Sequence, residues 1–120
     1  MSESLIQSQV RLEASKRGWR VFRNNVGAGR LENGSWIRWG LCNETPALNA
    51  KIKSADLIGI RPVLITPDMV GRVIGQFVSR ECKRPGWKFN PNDKRDVAQA
   101  AWARIINDLG GDAKITTGEL

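Results

Sequence analysis

Apolar residues recur at helical spacing in two stretches of the chain. The first stretch predicts a helix over residues 3–17, with Ser2 as its N-cap and Gly18 as its stop. The second stretch predicts a helix that Asp93 caps and that runs through Leu109. The apolar stripe of this second helix is predicted to consist of Val97, Ala98, Ala101, Trp102, Ile105 and Leu109.

Between these helices the pattern changes to alternation and short apolar runs, which predict strands. A strand at 19–23 and a returning strand at 36–39 are joined through turn residues at 27–30 and 33–34. Residues 40–54 predict a basic loop. Further strands are predicted at 56–60, 63–65, 72–83 and 113–116. This order predicts an α/β fold of the layered α+β kind, with a mixed central sheet of four to five strands flanked by helices.

The composition narrows the chemistry that this chain can perform. Its 120 residues, 41% of them apolar, are predicted to form a single domain over 1–120. Because the chain has no His and no Tyr, a Ser/His/Asp triad, a His-ligated zinc and a tyrosine nucleophile are excluded. The two cysteines, Cys42 and Cys82, are too few for a four-cysteine metal site and are typical of a reducing compartment. Catalysis is left to carboxylates, lysines and a hard metal ion.

The charge of the chain indicates a polyanionic partner. With 19 Lys and Arg against 12 Asp and Glu, the formal net charge is +7, which is typical of proteins that bind nucleic acid. There are two alternative explanations of the positive net charge. One is that it serves only to keep the protein soluble, and the other is that it attracts the protein to an anionic membrane surface. No apolar run approaches the roughly 20 residues of a membrane span, and no leader pattern opens the chain. We therefore expect a cytoplasmic protein without a membrane partner.

Three charged residues point to a divalent cation. Glu81 and Lys83 are two apart in a predicted strand, so both side chains lie on the face that also carries Phe77. A carboxylate on such a face is costly unless a cation balances it. Asp56, at the start of an apolar strand, supplies a second acid, and Mg²⁺ takes one or two carboxylates together with waters and a substrate phosphate. The alternative is a solvated strand end with an ordinary ion pair.

Five short patterns follow one another along nearly the whole chain. They are Glu3-x-x-Ile6-Gln7, Arg23-x-Asn25-x-Gly27, Ser54-Ala55-Asp56-Leu57-Ile58-Gly59, Glu81-Cys82-Lys83 and a later helix that bears Gln99. In this order they resemble the VRR-NUC branch of the PD-(D/E)XK nucleases, in the compact stand-alone form that comes largely from bacteriophages and prophages. Ala55 stands where the superfamily name has Pro, and this departure leaves the carboxylate in place. The resemblance implies a restriction-endonuclease-like core and the cytoplasm of a bacterial or phage-infected cell.

The resemblance also implies roles for individual residues. Asp56 and Glu81 would bind Mg²⁺, or Mn²⁺ in its place, with the backbone carbonyl of Cys82 as a third ligand, and Lys83 would be the catalytic lysine. Gln99 would lean toward Lys83 or the scissile phosphate; the alternative is a solvent-facing helix residue.

A further acid is expected from the first helix. The resemblance implies Glu3, and Glu13 is its rival for that role. A glutamate in the first turn also stabilises a helix through its dipole, which is the alternative explanation of Glu3.

DNA contacts are expected from basic and amide side chains. The resemblance implies that Arg23 and Asn25 hold a phosphate beside Gly27 and Gly29, although an ordinary hairpin turn explains the same glycines. Sequence-independent phosphate contacts, or alternatively solvated surface charges, are expected at Lys51, Lys53, Arg84 and Lys88. Among the tryptophans, Trp102 is expected in the core. We expect Trp36, Trp39 and Trp87 to stack on DNA bases or to be buried in a dimer interface.

The function implied is that of a Mg²⁺-dependent, structure-selective DNA endonuclease. Stand-alone members of this branch are similar to Holliday-junction resolvases, which cut two strands symmetrically, so branched DNA and a homodimer are the expected partners and no small-molecule cofactor is needed. The alternatives are a general duplex or flap nuclease and a non-catalytic, basic nucleic-acid-binding module. An RNA-binding domain is disfavoured, because the strands lack the stacked aromatic residues of an RRM.

Overall fold

The computed structural model describes residues 2–120 and shows a mixed α+β protein. Three helices and six strands are formed by the described residues, in the order α1 (Glu3–Lys16), β1 (Arg20–Arg23), β2 (Gly27–Arg30), β3 (Trp36–Trp39), α2 (Pro46–Lys51), β4 (Leu57–Ile60), a 3-10 turn (Pro67–Met69), β5 (Val78–Cys82), α3 (Lys94–Asp108) and β6 (Asp112–Thr116). No helix within residues 2–120 is long and apolar enough to cross a membrane.

The predicted mixture of helices and strands is confirmed, but the expected central sheet is not. The described strands pair in three two-stranded sheets, β1 with β4, β2 with β3, and β5 with β6. A single sheet of four to five strands is therefore not confirmed by the pairing. The chain divides into two compact units, the first ending at Gly59 and the second beginning at Ile60.

Both predicted long helices and their caps are confirmed. The side chain of Ser2 accepts a hydrogen bond of 3.1 Å from the backbone N–H of Leu5 at the start of α1. Asp93 caps α3 by accepting from the backbone N–H groups of Arg95 and Asp96. These local bonds satisfy helix N–H groups that have no partner inside the helix, so cap residues mark helix starts in the sequence alone.

The turn prediction is confirmed at Asn33 and Gly34, which lie in the turn between β2 and β3, but it is wrong for 27–30, which form β2. Gly27 pairs with Trp39 of β3 in an antiparallel hairpin. A Cβ atom at Gly27 would lie only 2.5 Å from Cζ2 of Trp39. The glycine thus makes room for an indole on the neighbouring strand rather than allowing a turn.

The loop prediction for 40–54 and two strand predictions also need correction. Residues 46–51 form the short helix α2, whose start is marked by the side chain of Thr45, which accepts from the N–H of Leu48 at 3.1 Å. No strand forms at 63–65, and the strand predicted over 72–83 is confined to β5. Val73 is 98% exposed, so this apolar run is left without a strand partner.

In the first unit, α1 packs against β1, and a buried amide secures the β2–β3 hairpin. Asn43 is only 3% exposed. Its Nδ2 donates to the carbonyl oxygens of Gly27, at 2.7 Å, and Trp39, at 2.8 Å, while its Oδ1 accepts from Nη2 of Arg38 at 2.6 Å. All of the amide's polar atoms have partners, as a buried amide requires.

In the second unit, α3 connects two parallel strands and packs against β6. Val78 pairs with Asp112 at one end of the β5–β6 ladder and Cys82 with Thr116 at the other. The core consists of Ile60, Ile106 and Ala113, with Phe77, Trp102, Ala103 and Leu109 packed against it. This arrangement fixes α3 over the face of β5 that carries the predicted acid and lysine.

Candidate functional site

Three side chains on one face of β5 and its C-terminal extension contact α3. The hydroxyl of Ser79 accepts from Nε1 of Trp102 at 2.8 Å. Oε1 of Glu81 accepts from Nε2 of Gln99 at 2.8 Å. Nζ of Lys83 lies 4.0 Å from Oδ1 of Asp96. Two-residue steps along the strand thus match three-residue steps along the helix, because both spacings keep side chains on one face.

The Lys83 ammonium is held among charged and aromatic groups. Its Nζ lies 3.9 Å from Oε1 of Glu81 and 5.6 Å from the ring centre of Trp87, in addition to its pairing with Asp96. The Lys83 side chain is 15% exposed, whereas that of Glu81 is 41% exposed. A partly buried ammonium that is restrained in this way is pre-organised to donate hydrogen bonds to an anion.

Asp96 is a site residue that the sequence reasoning missed. Its carboxylate is 8% exposed, and Oδ2 accepts from the backbone N–H of Asn90 at 3.0 Å. Asp96 therefore links Lys83 to the loop that carries Trp87. The spacing of Asp96 and Gln99, three residues apart on one helix, was the available signal for a shared face.

The predicted apolar stripe of α3 is partly wrong for the same reason. Val97, Ala98 and Ala101 are exposed, and the buried positions are Asp96 and Ile106. The prediction assumed that the inner face of the helix is apolar, whereas its N-terminal half turns polar side chains toward β5. Trp102 packs against the core as expected.

Gln99 points toward β5 rather than into solvent. Its Nε2 donates to Glu81, and its Oε1 is buried without a hydrogen-bond partner among the described residues. The carboxylate of Glu81 fixes this amide orientation, because the reverse would place two acceptors together.

Asp56 lies immediately before β4 in the first unit, and its side chain is exposed. Its carbonyl oxygen accepts from the backbone N–H of Asn24 at 2.8 Å. Nδ2 of Asn24 also donates to the hydroxyl of Ser54, at 2.7 Å, and the carbonyl of Ala55, at 2.9 Å. This bracing brings the end of β1, and with it the exposed residues Arg23 and Asn25, to the segment that presents Asp56.

Glu3 and Glu13 differ in their surroundings on α1. Glu3 lies exposed in the first turn, and Glu13 forms an exposed ion pair of 3.0 Å with Arg17. Such an i, i+4 pair is a common surface feature of helices.

The predicted DNA-contacting cations are exposed in both units. Lys51 ends α2, and Nζ of Lys53 donates to Oδ1 of Asn49 at 2.7 Å. Arg84 and Lys88 flank Trp87 in the second unit. Exposed cations of this kind can contact phosphates without reading a base sequence.

On the opposite face of β5, Arg80 braces the β5–β6 sheet. Its Nη2 lies 2.8 Å from Oδ2 of Asp112. The hydrogen bond from Arg80, helped by the charges of Arg80 and Lys114, holds the pKa of the Asp112 carboxyl below its ordinary value, although desolvation acts in the opposite direction.

The side chains that could hold the implied Mg²⁺ are carboxylates. Within residues 2–120, no group of three or more Cys, Asp and Glu side chains is gathered as a metal cage. Mg²⁺ needs only one or two carboxylates, and Glu81 and Asp56 are both accessible ones. Asp96 is already engaged with Lys83 and Asn90. The donor chemistry of each of these two carboxylates, taken separately, therefore fits a magnesium ion bound largely by water and phosphate.

No protein-family model, curated protein or solved structure matches this chain.

Proposed function

We propose that the chain is a Mg²⁺-dependent DNA endonuclease of the VRR-NUC type, with branched DNA as its substrate and a homodimer as its active form. The observation that carries the proposal is the contact set around Glu81, in which Gln99 donates to the carboxylate and Lys83 lies 3.9 Å from it. An accessible carboxylate can hold a metal ion, and a restrained ammonium can stabilise the charge that develops in phosphodiester hydrolysis, so this contact set supports the proposal. The proposal includes a restriction-endonuclease-like core.

In this mechanism the carboxylates of Asp56 and Glu81, with the carbonyl of Cys82, would hold the ion. When bound, Mg²⁺ supplies charge stabilisation at the phosphate and lowers the pKa of water. Gln99 orients Glu81 through its 2.8 Å hydrogen bond. Lys83 donates to the developing negative charge on the phosphate.

Several surface cations support the DNA-binding part of the proposal. Exposed basic residues occur beside Asp56 in sequence and in the loop after Lys83, and the net charge of +7 adds attraction to any polyanion. Phosphate contacts are assigned to Arg23, Asn25, Lys51, Lys53, Arg84 and Lys88.

A non-catalytic nucleic-acid-binding module is the second candidate. It is favoured by the pairing of Lys83 with both Glu81 and Asp96, since such a network also serves to join β5 to α3. In that case the acids are structural and no metal is needed.

The decisive experiment is a cleavage assay with end-labelled four-way junction, flap, duplex and single-stranded DNA. Each substrate is incubated with the protein in Mg²⁺, in Mn²⁺ and in EDTA. The proposal expects cleavage with either metal and none in EDTA, with two symmetric cuts in the junction. Binding of DNA without cleavage under all three conditions would contradict the nuclease and support the binding module.

A further inference from the structure

A cleft of about 350 Å³ lies between α3 and the β5–β6 sheet of the second unit. Glu81 and Gln99 form its polar wall, and Trp102, Ala103 and Ile115 are among its apolar lining residues. Ligand sites usually have volumes of about 300–1,000 Å³, so this cleft suits one small planar group rather than a base pair.

Two cations line the same cleft from different elements. Arg95 belongs to the first turn of α3, Lys114 belongs to β6, and both side chains are exposed. Together they favour an anionic group at the cleft. The carboxylate of Glu81 in the polar wall disfavours a plain anion in the interior, so the ligand must combine an anionic end with an uncharged body.

The polar wall requires hydrogen-bond donors from that body. Oε1 of Gln99 is buried without a partner, and its amide is held in place by Glu81. The Glu81 side chain is 41% exposed and lines the cleft, so its carboxylate is available as a hydrogen-bond acceptor to a ligand there. The N–H groups of a nucleobase are donors of this kind, and its flat faces suit the apolar wall beside Trp102.

We propose that this cleft binds one unpaired nucleotide, with its base against Trp102 and its phosphate between Arg95 and Lys114. This assignment of the substrate rests on the proposed function. The nuclease would then prefer branched DNA that has an unpaired nucleotide beside the cut, such as a flap. A free mononucleotide presents the same chemistry, so the test separates these sources.

The first test measures binding to the metal-free protein in EDTA by calorimetry. The probes are deoxyadenosine 5′-monophosphate, deoxyribose 5-phosphate and inorganic phosphate. The nucleotide should bind at least about tenfold more tightly than either probe that lacks a base, because only it fills the apolar wall. Equal affinities for the three probes would overturn the proposal.

Variants then locate the binding. Ala98→Trp fills the cleft from an exposed position and should abolish nucleotide binding while the protein stays folded. Arg95→Glu and Lys114→Glu should each weaken binding by about tenfold or more through loss of a charged hydrogen bond. Arg104→Glu is the matched control, because Arg104 is exposed on α3 and is not part of the cleft lining. Equal effects of Arg95→Glu and Arg104→Glu would indicate general surface charge and contradict the cleft.

The DNA source is tested with single-stranded and fully paired oligonucleotides of the same sequence. Ala98→Trp should weaken the single strand selectively and leave duplex affinity unchanged. If duplex DNA is cleaved in Mg²⁺ but neither the nucleotide nor the single strand binds the cleft, this inference fails and the proposed nuclease stands. If the nucleotide binds as expected but no DNA is cleaved in Mg²⁺ or Mn²⁺, the nuclease fails and the cleft stands as a mononucleotide site.

Discussion

The ammonium of Lys83 and the carboxylate of Asp96 form an ion pair of 4.0 Å that joins the residue after β5 to the first turn of α3. The two side chains are 15% and 8% exposed. The Asp96 charge is compensated by Lys83, and the Lys83 charge by Asp96 and Glu81 together. Asp96 also accepts from the backbone of Asn90, which fixes the loop that carries Trp87. The pair therefore serves both the stability of the second unit and the position of the proposed catalytic lysine.

Asp96→Asn should lower the free energy of unfolding by about 2 kcal/mol, because it leaves a largely buried ammonium with only Glu81 as a charged partner. Urea denaturation at neutral pH measures the change. Asp108→Asn, an exposed carboxylate of the same helix, should stay within about 0.5 kcal/mol of the parent protein. Equal effects of the two substitutions would show that the Lys83–Asp96 pair contributes nothing.

Neutralising either proposed metal ligand should abolish cleavage. Asp56→Asn and Glu81→Gln retain the shape of the side chain but lose the charge that binds Mg²⁺. Because a carboxylate repels phosphate when no metal is bound, these variants should bind DNA as tightly as the parent protein or somewhat more tightly. Cleavage rates and fluorescence anisotropy measure the two effects. Glu44→Gln, at an exposed carboxylate, is the control, and full activity of either ligand variant would refute the site.

Lys83→Met should reduce the cleavage rate by about 100-fold or more, because the proposed role of the ammonium is to stabilise charge in the transition state. Metal affinity measured by calorimetry should be nearly unchanged. Loss of metal affinity would instead place Lys83 in support of the ligands, and a rate within a few-fold of the parent protein would make it structural. Unfolding is followed in parallel, since the substitution also leaves Asp96 without its cation.

Acid should remove the contribution of the Arg80–Asp112 pair to stability. The pKa of Asp112 is lowered in the folded protein, so the pair stabilises the fold above the ordinary carboxyl pKa of 3.8 and is lost as the pH falls below it. Asp112→Asn should therefore lower stability at about pH 5 and have little effect near pH 2. Urea midpoints at the two pH values test this, with Asp108→Asn, at an exposed carboxylate of α3, as the control.

Local signals explain which parts of the fold could be predicted. Ser2 and Asp93 cap their own helices, so the sequence near each residue contains the whole reason for the helix start. The role of Gly27 depends on Trp39, which is on the other strand of the hairpin, so it could not be distinguished from a turn glycine. The strand at 72–83 was predicted too long because alternation alone does not supply a pairing partner.

The candidate site likewise contains residues that the sequence could predict and residues that it could not. Glu81 and Lys83 could be selected because residues two apart in a strand share a face, and Gln99 was found through the family resemblance. The importance of Asp96 arises from packing of α3 on the sheet, which no local pattern contains. The cleft residues Arg95 and Lys114 come from different elements and meet for the same reason.

Dimer formation is the last prediction, and it concerns the β2–β3 hairpin. Trp36 and Ile37 are 59% and 39% exposed, which is more apolar surface than a short hairpin needs. Trp39 is partly used within the hairpin, since its indole covers Gly27. A resolvase must cut two strands of like polarity, and a two-fold dimer positions two active sites for this.

Sedimentation should therefore give twice the monomer mass of 13.4 kDa, and Trp36→Lys should return it to the monomer mass. Leu64→Lys is the matched control, because Leu64 is 85% exposed and lies outside the hairpin. A monomer at micromolar concentration, with single uncoordinated nicks in junction DNA, would refute the dimer and leave a general nuclease.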